Sequence, residues 1–157
     1  MKQNIYDNEN FFNQYEELRN EQKDKNANDL IEIPNFRKLM PNVANKSILD
    51  LGCGYGENDK FYKEQGAKYV LGIDISEKMI EKANENNKID GIEYKVIAME
   101  DISSIDKKFD IIISSLAFHY IKDFDKLIND CYNILNKDGY LFFSQEHPFT
   151  TCYRKQP

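Results

Sequence analysis

Histidine and cysteine are scarce in this chain, basic residues are outnumbered, and no long apolar run is present. The 2 histidines, His119 and His147, and the 3 cysteines, Cys53, Cys131 and Cys152, lie far apart without metal-ligand spacing, which argues against a zinc centre. An odd cysteine number and no N-terminal secretion segment make a reducing, cytoplasmic setting the expectation. No stretch approaches the ~20 apolar residues that cross a bilayer, so no membrane association is expected. Lys and Arg number 21 against 27 Asp and Glu, a net charge of −6. Lys and Glu are interspersed and no basic block stands out, so non-specific nucleic-acid binding is not expected.

At 157 residues, with 41% hydrophobic and 13% aromatic residues, the chain suits one domain with a real core. Its centre is residues 47–58, Ser-Ile-Leu-Asp-Leu-Gly-Cys-Gly-Tyr-Gly-Glu-Asn. Ile48, Leu49 and Leu51 read as a strand buried on both faces. Glycines follow at alternate positions, Gly52, Gly54 and Gly56, and 57–65 continues as a helix. A strand, a Gly-rich turn and a helix open a nucleotide-binding α/β unit. Glycine lets the backbone turn sharply and lets a ligand approach closer than a Cβ allows. A dinucleotide fingerprint places its third glycine three residues after the second. Here it comes two after, Glu57 stands at the dinucleotide position, and Asp50 precedes the turn. Both carboxylates would repel a pyrophosphate.

The run Asp50-Leu-Gly-Cys-Gly-Tyr-Gly56 resembles motif I of the class I S-adenosylmethionine-dependent methyltransferases. That resemblance implies a Rossmann-like three-layer α/β/α fold with a mostly parallel sheet. It also implies S-adenosyl-L-methionine as cofactor and S-adenosyl-L-homocysteine as product. The loop of Asp50, Gly52, Cys53, Gly54 and Gly56 would pass under the methionine part of the cofactor, whose sulfonium and ammonium tolerate nearby carboxylates.

Phe11, Phe12, Tyr15 and Leu18 have helical spacing, and in this family such an N-terminal helix (within 1–46) serves as a lid, which places Tyr15 and Arg19 near cofactor or substrate. A second helix is expected over 29–40, with Pro34 in its first turn and Pro41 ending it. Gly66 caps the helix after the loop. Residues 69–73 form the second strand and end at Asp74, an acidic residue suited to ribose hydroxyls. Asp74 also suits a helix N-cap, but Ser76 can cap the helix over 76–87 instead. Ile75 and Met79 are then expected beside the adenine. A third strand over 92–98 ends at Met99, Glu100 and Asp101. By resemblance an acid here accepts from the adenine amino group, and Asp101 matches the position better than Glu100. Phe109–Ser115 reads as the fourth strand and resembles motif IV, with Asp110 structural and Ser114 and Leu116 at the cofactor. His119 and Tyr120 face the acceptor. A helix carries Leu127, Ile128, Cys131, Ile134 and Leu135 on one face, which makes Cys131 a core residue. A stop at 136–139 with Gly139 as C-cap and a fifth strand over 140–144 complete the pattern.

The strand order implied is 3-2-1-4-5. The family fold has two further strands that this chain lacks, so the resemblance covers 47–147 and leaves 148–157 as a short tail. The fifth strand becomes an exposed edge, and a homodimer through 140–157 is expected. The first functional reading is methyl transfer to a small-molecule acceptor, driven by alignment. Where a base is needed, His119 and His147 are the candidates, His147 preferred beside Glu146. The second reading is an S-adenosylmethionine-binding module without catalysis. The third, a nicotinamide oxidoreductase, is weakened by the misplaced glycine and the acidic loop.

Overall fold

The structure is a computed structural model that describes residues 4, 6–21 and 25–147. Five strands form one parallel sheet: β1 (Ser47–Leu51), β2 (Tyr69–Asp74), β3 (Ile92–Val96), β4 (Phe109–Ser115) and β5 (Leu135–Ser144), in the order β3-β2-β1-β4-β5. This is the expected order. Leu49 of β1 pairs with Leu71 of β2 on one side and Ile112 of β4 on the other. Parallel neighbours need crossovers, and those cover both faces, so the strands are apolar at nearly every position.

The period-two alternation of the strands divides the core. Ile48, Val70, Ile111 and Ile113 point to one face, where they meet Tyr62, Ala83 and Phe36. Those side chains come from α3 (Glu57–Glu64), α4 (Glu77–Asn86) and α2 (Ile33–Leu39). Leu49, Leu51, Leu71, Ile73 and Ile112 point to the other face, against Leu127, Cys131 and Ile134 of α5 (Phe124–Ile134). Cys131 is therefore a core residue, as its spacing predicts. The result is a three-layer α/β/α sandwich.

Local signals explain most boundaries. Gly66 (φ +91) follows α3; its N–H donates to the Lys63 carbonyl and the Ala67 N–H to that of Tyr62, a Schellman closure. Ser76 caps α4 by accepting from the Met79 N–H at 3.3 Å. Asp110 locks the start of β4: its carboxylate accepts from the Ser47 N–H (2.8 Å), the Ser47 hydroxyl (2.9 Å) and the Asn136 amide (2.9 Å). It is structural, as its position implies, and those donors hold its carboxyl below the usual range.

Three expectations need correction. The helix expected over 29–40 begins as a π turn, Asn28–Glu32, and becomes α-helical only over α2. Pro34 offers no N–H to the carbonyl of Leu30, so an uninterrupted α ladder cannot pass that point. The stop at 136–139 lies inside β5, as a shift in register opposite Asp110. There Asp138, not Gly139, takes the left-handed conformation (φ 62). Gly139 is small for another reason: a Cβ there would sit 2.9 Å from the carbonyl oxygens of Asn136 and Asp110. The third strand ends at Val96, and a 3-10 helix, Met99–Ser104, follows. β5 pairs with β4 alone and is an edge of the sheet, with Tyr140 exposed. The expectations placed on 148–157 lie outside the described residues.

Candidate active site

The carboxyl ends of β1, β2 and β4 open into one cavity of about 530 Å³. Its floor is the loop after β1. Gly52, Gly54 and Gly56 have φ of +75, +54 and +75, a left-handed conformation that side chains resist. The Gly52 and Cys53 N–H groups both donate to the Ile73 carbonyl, at 2.8 and 2.9 Å, which ties the loop to the end of β2. A Cβ on Gly52 would lie 2.7 Å from that of Ala117, and one on Gly56 would lie 2.1 Å from the Tyr94 hydroxyl. A Cβ on Gly54 would meet nothing within 4 Å. Gly52 and Gly56 are thus small for packing, whereas Gly54 borders open space that a ligand can fill.

Asp74 faces the same cavity from the end of β2. One carboxylate oxygen accepts from the Gly54 N–H at 3.0 Å and the other from the Ser76 N–H at 2.9 Å. Each oxygen keeps a lone pair for a ligand hydroxyl. Burial raises the pKa of this carboxyl, opposed by those N–H groups. Ile75, Met79, Ile97 and Met99 add apolar side chains to the lining, and Glu100 lines the cavity too. Asp101 is exposed and does not line the cavity, whereas Glu100 does. The 3-10 turn rotates successive residues by a third of a revolution and sends Asp101 outward.

Beneath the loop lies a feature that sequence patterns did not indicate. Asp50 (3% exposed) and Asp59 (0% exposed) are both buried. The Asp59 oxygens meet no N–H or hydroxyl donor, and the group that faces them is the carboxyl of Asp50. Two carboxyls in contact cannot both ionise, so the pair retains a proton. Burial pushes Asp50 up to about 7, and burial together with Asp50 pushes Asp59 well above the carboxylate range. Desolvation, and then Asp59, Asp50 and Asp74, push the Cys53 thiol up. Cys53 lines the cavity as a neutral group.

The opposite wall comes from the end of β4. Ser115, Leu116, Ala117, His119 and Tyr120 line it. Leu116 has φ of +51, a strained conformation for a bulky side chain and one that concentrates at functional sites. It is held by its N–H, which donates to both the carbonyl and the hydroxyl of Ser144 at 3.1 Å. The His119 ring lies against that of Tyr120, with centroids 4.3 Å apart and planes tilted by 46°, and its Nδ1 is buried without a partner. Ser114, expected at the cofactor, is fully buried and donates to the Leu51 carbonyl at 2.9 Å. Strand alternation points Ser115, not Ser114, into the cavity. His147 is exposed and outside the lining, whereas Glu146 lines it. Gly56 also lies outside the lining, under the Tyr94 ring.

The roof is α1 (Glu9–Glu21). Tyr6 meets Tyr15 at 5.4 Å, and both Tyr15 and Phe12 meet Tyr55 of the glycine loop at 6.2 Å. Arg19 donates to Glu57 at 2.6 Å and to the Tyr15 hydroxyl at 3.3 Å. Tyr15 and Arg19 therefore line the cavity, and the Arg19 charge is paired. Glu32, at the end of the π turn, also lines the cavity and accepts from Ser115 and Ser144. The fold delivers it from a segment whose sequence carries no motif. Among the described residues no cluster of three or more His, Cys, Asp or Glu side chains suits a metal ion, and no helix is long and apolar enough to cross a membrane.

The cavity brings together Asp74, the apolar side chains of Ile75, Met79 and Met99, and the loop of Gly52, Cys53 and Gly54. A family model described as a methyltransferase domain matches residues 49–143. An uncharacterized protein of Haemophilus influenzae is 39% identical over 160 residues, covering 98% of this chain and 62% of its own length. The ubiquinone biosynthesis O-methyltransferase of Neisseria meningitidis is 31% identical over 106 residues, covering 65% of this chain and 44% of that protein. The crystal structure of an S-adenosylmethionine-dependent methyltransferase from Mesorhizobium loti superimposes with a TM-score of 0.72 at 36% identity, over 81% of this chain and 57% of that one. The chain thus spans between about two fifths and three fifths of the length of these relatives.

Proposed function

This chain belongs to the S-adenosylmethionine-dependent methyltransferase family, and from that premise we propose that it transfers the cofactor's methyl group to a small-molecule acceptor in the cavity beneath α1. The observation that carries the reading is the convergence of the open position at Gly54 and the half-satisfied carboxylate of Asp74 on one cavity. In this proposal Asp74 holds the ribose hydroxyls and Ile75, Met79 and Met99 pack on the adenine. Glu100 takes the ring's amino group, and the loop of Asp50, Gly52, Cys53 and Gly54 supports the methionine part, with Tyr15 closing over it. The cofactor supplies an electrophilic methyl on a sulfonium. The protein's own contribution is alignment: the strained Leu116, clamped by Ser144, fixes the wall against which an acceptor is held. His119, which lines the cavity, accepts a proton where the acceptor must lose one. His119→Gln is then expected to lower turnover of such an acceptor without changing cofactor affinity.

The test is calorimetry of the chain with S-adenosylhomocysteine and with NAD, repeated on Asp74→Ala. Binding of the first alone, lost in the variant, is expected. Equal affinity in Asp74→Ala, or binding of NAD, would overturn the assignment. Transfer of radiolabel from methyl-labelled cofactor to a small-molecule extract then tests turnover.

A further inference from the structure

Glu32 is the one acidic side chain that reaches the cavity from the π turn and is bound to both strand ends of its acceptor wall. One of its oxygens, Oε1, accepts from the Ser115 hydroxyl at 3.0 Å and from the Ser144 hydroxyl at 2.5 Å. Those serines end β4 and β5, and Ser144 is the residue that clamps Leu116. Two donors on one oxygen fix the carboxylate's orientation and leave Oε2 for another partner. The surroundings decide what that partner is. The basic residue among the described lining side chains is Arg19, and it is ion-paired to Glu57. The other charged residues of the lining are acidic. A carboxylate acceptor would enter a field of its own sign, while a cation would be drawn in. Tyr6, Tyr15, Leu18 and Ile33 supply apolar and aromatic walls nearby.

We propose that Glu32 is the recognition residue for the methyl acceptor and that the acceptor is a small amine, whose ammonium group Glu32 binds while an apolar body packs under α1. This inference rests on the methyltransferase reading of the cavity. It names the group that is recognised and leaves the methylated atom open. A purely structural role for Glu32, docking the N-terminal segment on the strand ends, makes a different prediction, and one substitution separates the two. Glu32→Gln keeps an oxygen for both serine hydroxyls, so docking survives, but the negative charge is gone.

The experiment uses phenethylamine and 3-phenylpropionate, matched in body and opposite in charge. Each is titrated into the full chain saturated with S-adenosylhomocysteine, with Glu32→Gln alongside. The amine is expected to bind at least about tenfold more tightly than the acid, and Glu32→Gln to lose about that factor for the amine alone. S-adenosylhomocysteine affinity and urea midpoint should stay as in the parent. An amine that binds no better than the acid, or binds Glu32→Gln undiminished, overturns the proposal, as does a failure of both probes. Those outcomes in a chain that binds S-adenosylhomocysteine sink the amine alone. Failure to bind S-adenosylhomocysteine sinks the reading beneath it as well.

Discussion

The buried carboxyl pair makes a prediction whose sign runs against the usual behaviour of an acidic protein. Asp50 keeps its proton up to about pH 7, whereas an ordinary Asp ionises near 3.8. Between those values the unfolded chain has released the proton and the folded chain has not. Folding therefore takes up a proton, and stability falls as pH rises. The contribution is fully present below pH 3.8 and is lost as pH passes through about 7. Across that window it is worth roughly 4 kcal/mol, at about 1.4 kcal/mol per pH unit. The paired substitution Asp50→Asn with Asp59→Asn removes both titrating carboxyls. The two amides keep the shape and can hydrogen-bond to each other, with no proton left to release. The assay is urea unfolding followed by far-UV circular dichroism at pH 5 and pH 8, parent against variant, with m checked for constancy. Other titrating groups, such as Asp110 with its lowered pKa and Asp74 with its raised one, are common to both and cancel in the difference. The parent should lose about 2–4 kcal/mol more than the variant between the two pH values. Parallel profiles would refute the shared proton.

Three further outcomes follow from the same geometry. Gly54→Ala should fold at a cost of about 1 kcal/mol for its left-handed backbone and lose S-adenosylhomocysteine binding, whereas Gly56→Ala, with a Cβ 2.1 Å from the Tyr94 hydroxyl, should fail to fold stably; thermal melts and calorimetry separate the two. Ser114→Ala should cost about 1–2 kcal/mol by orphaning the buried Leu51 carbonyl, with cofactor affinity unchanged, as read by urea midpoint and titration. The open edge of β5, expected from the sequence to pair with a second copy, should give a concentration-dependent dimer in sedimentation velocity; a monomer throughout would remove that expectation.

Much of the cofactor half was legible because its signals are local. A buried strand, glycines at alternate positions and an acid at the end of the next strand are patterns of neighbouring residues. The chemistry there needs backbone conformations that few residue types adopt. Asp74 with Ser76 as the independent helix cap, and Cys131 in a helix face, were readable for the same reason. The side chains that line the cavity differ from expectation where one residue of rotation decides which way a side chain points. That Glu100 and Ser115 line the cavity while Asp101 and Ser114 do not depends on a 3-10 turn and on a strand end. Neither leaves a trace in residue type.

The amino-acid sequence by itself determined the strands and the glycine loop, since apolar alternation, turn residues and motif spacing act over a few residues at a time, and the resemblance of that loop to motif I implied the family and its strand order. Only the tertiary structure decided that Asp59 meets Asp50, that Glu32 bridges Ser115 and Ser144, and that Arg19 spends its charge on Glu57. Those pairs join residues from separate elements, and burial, which sets the proton on the acid pair and the sign of the cavity, exists only once the layers have closed.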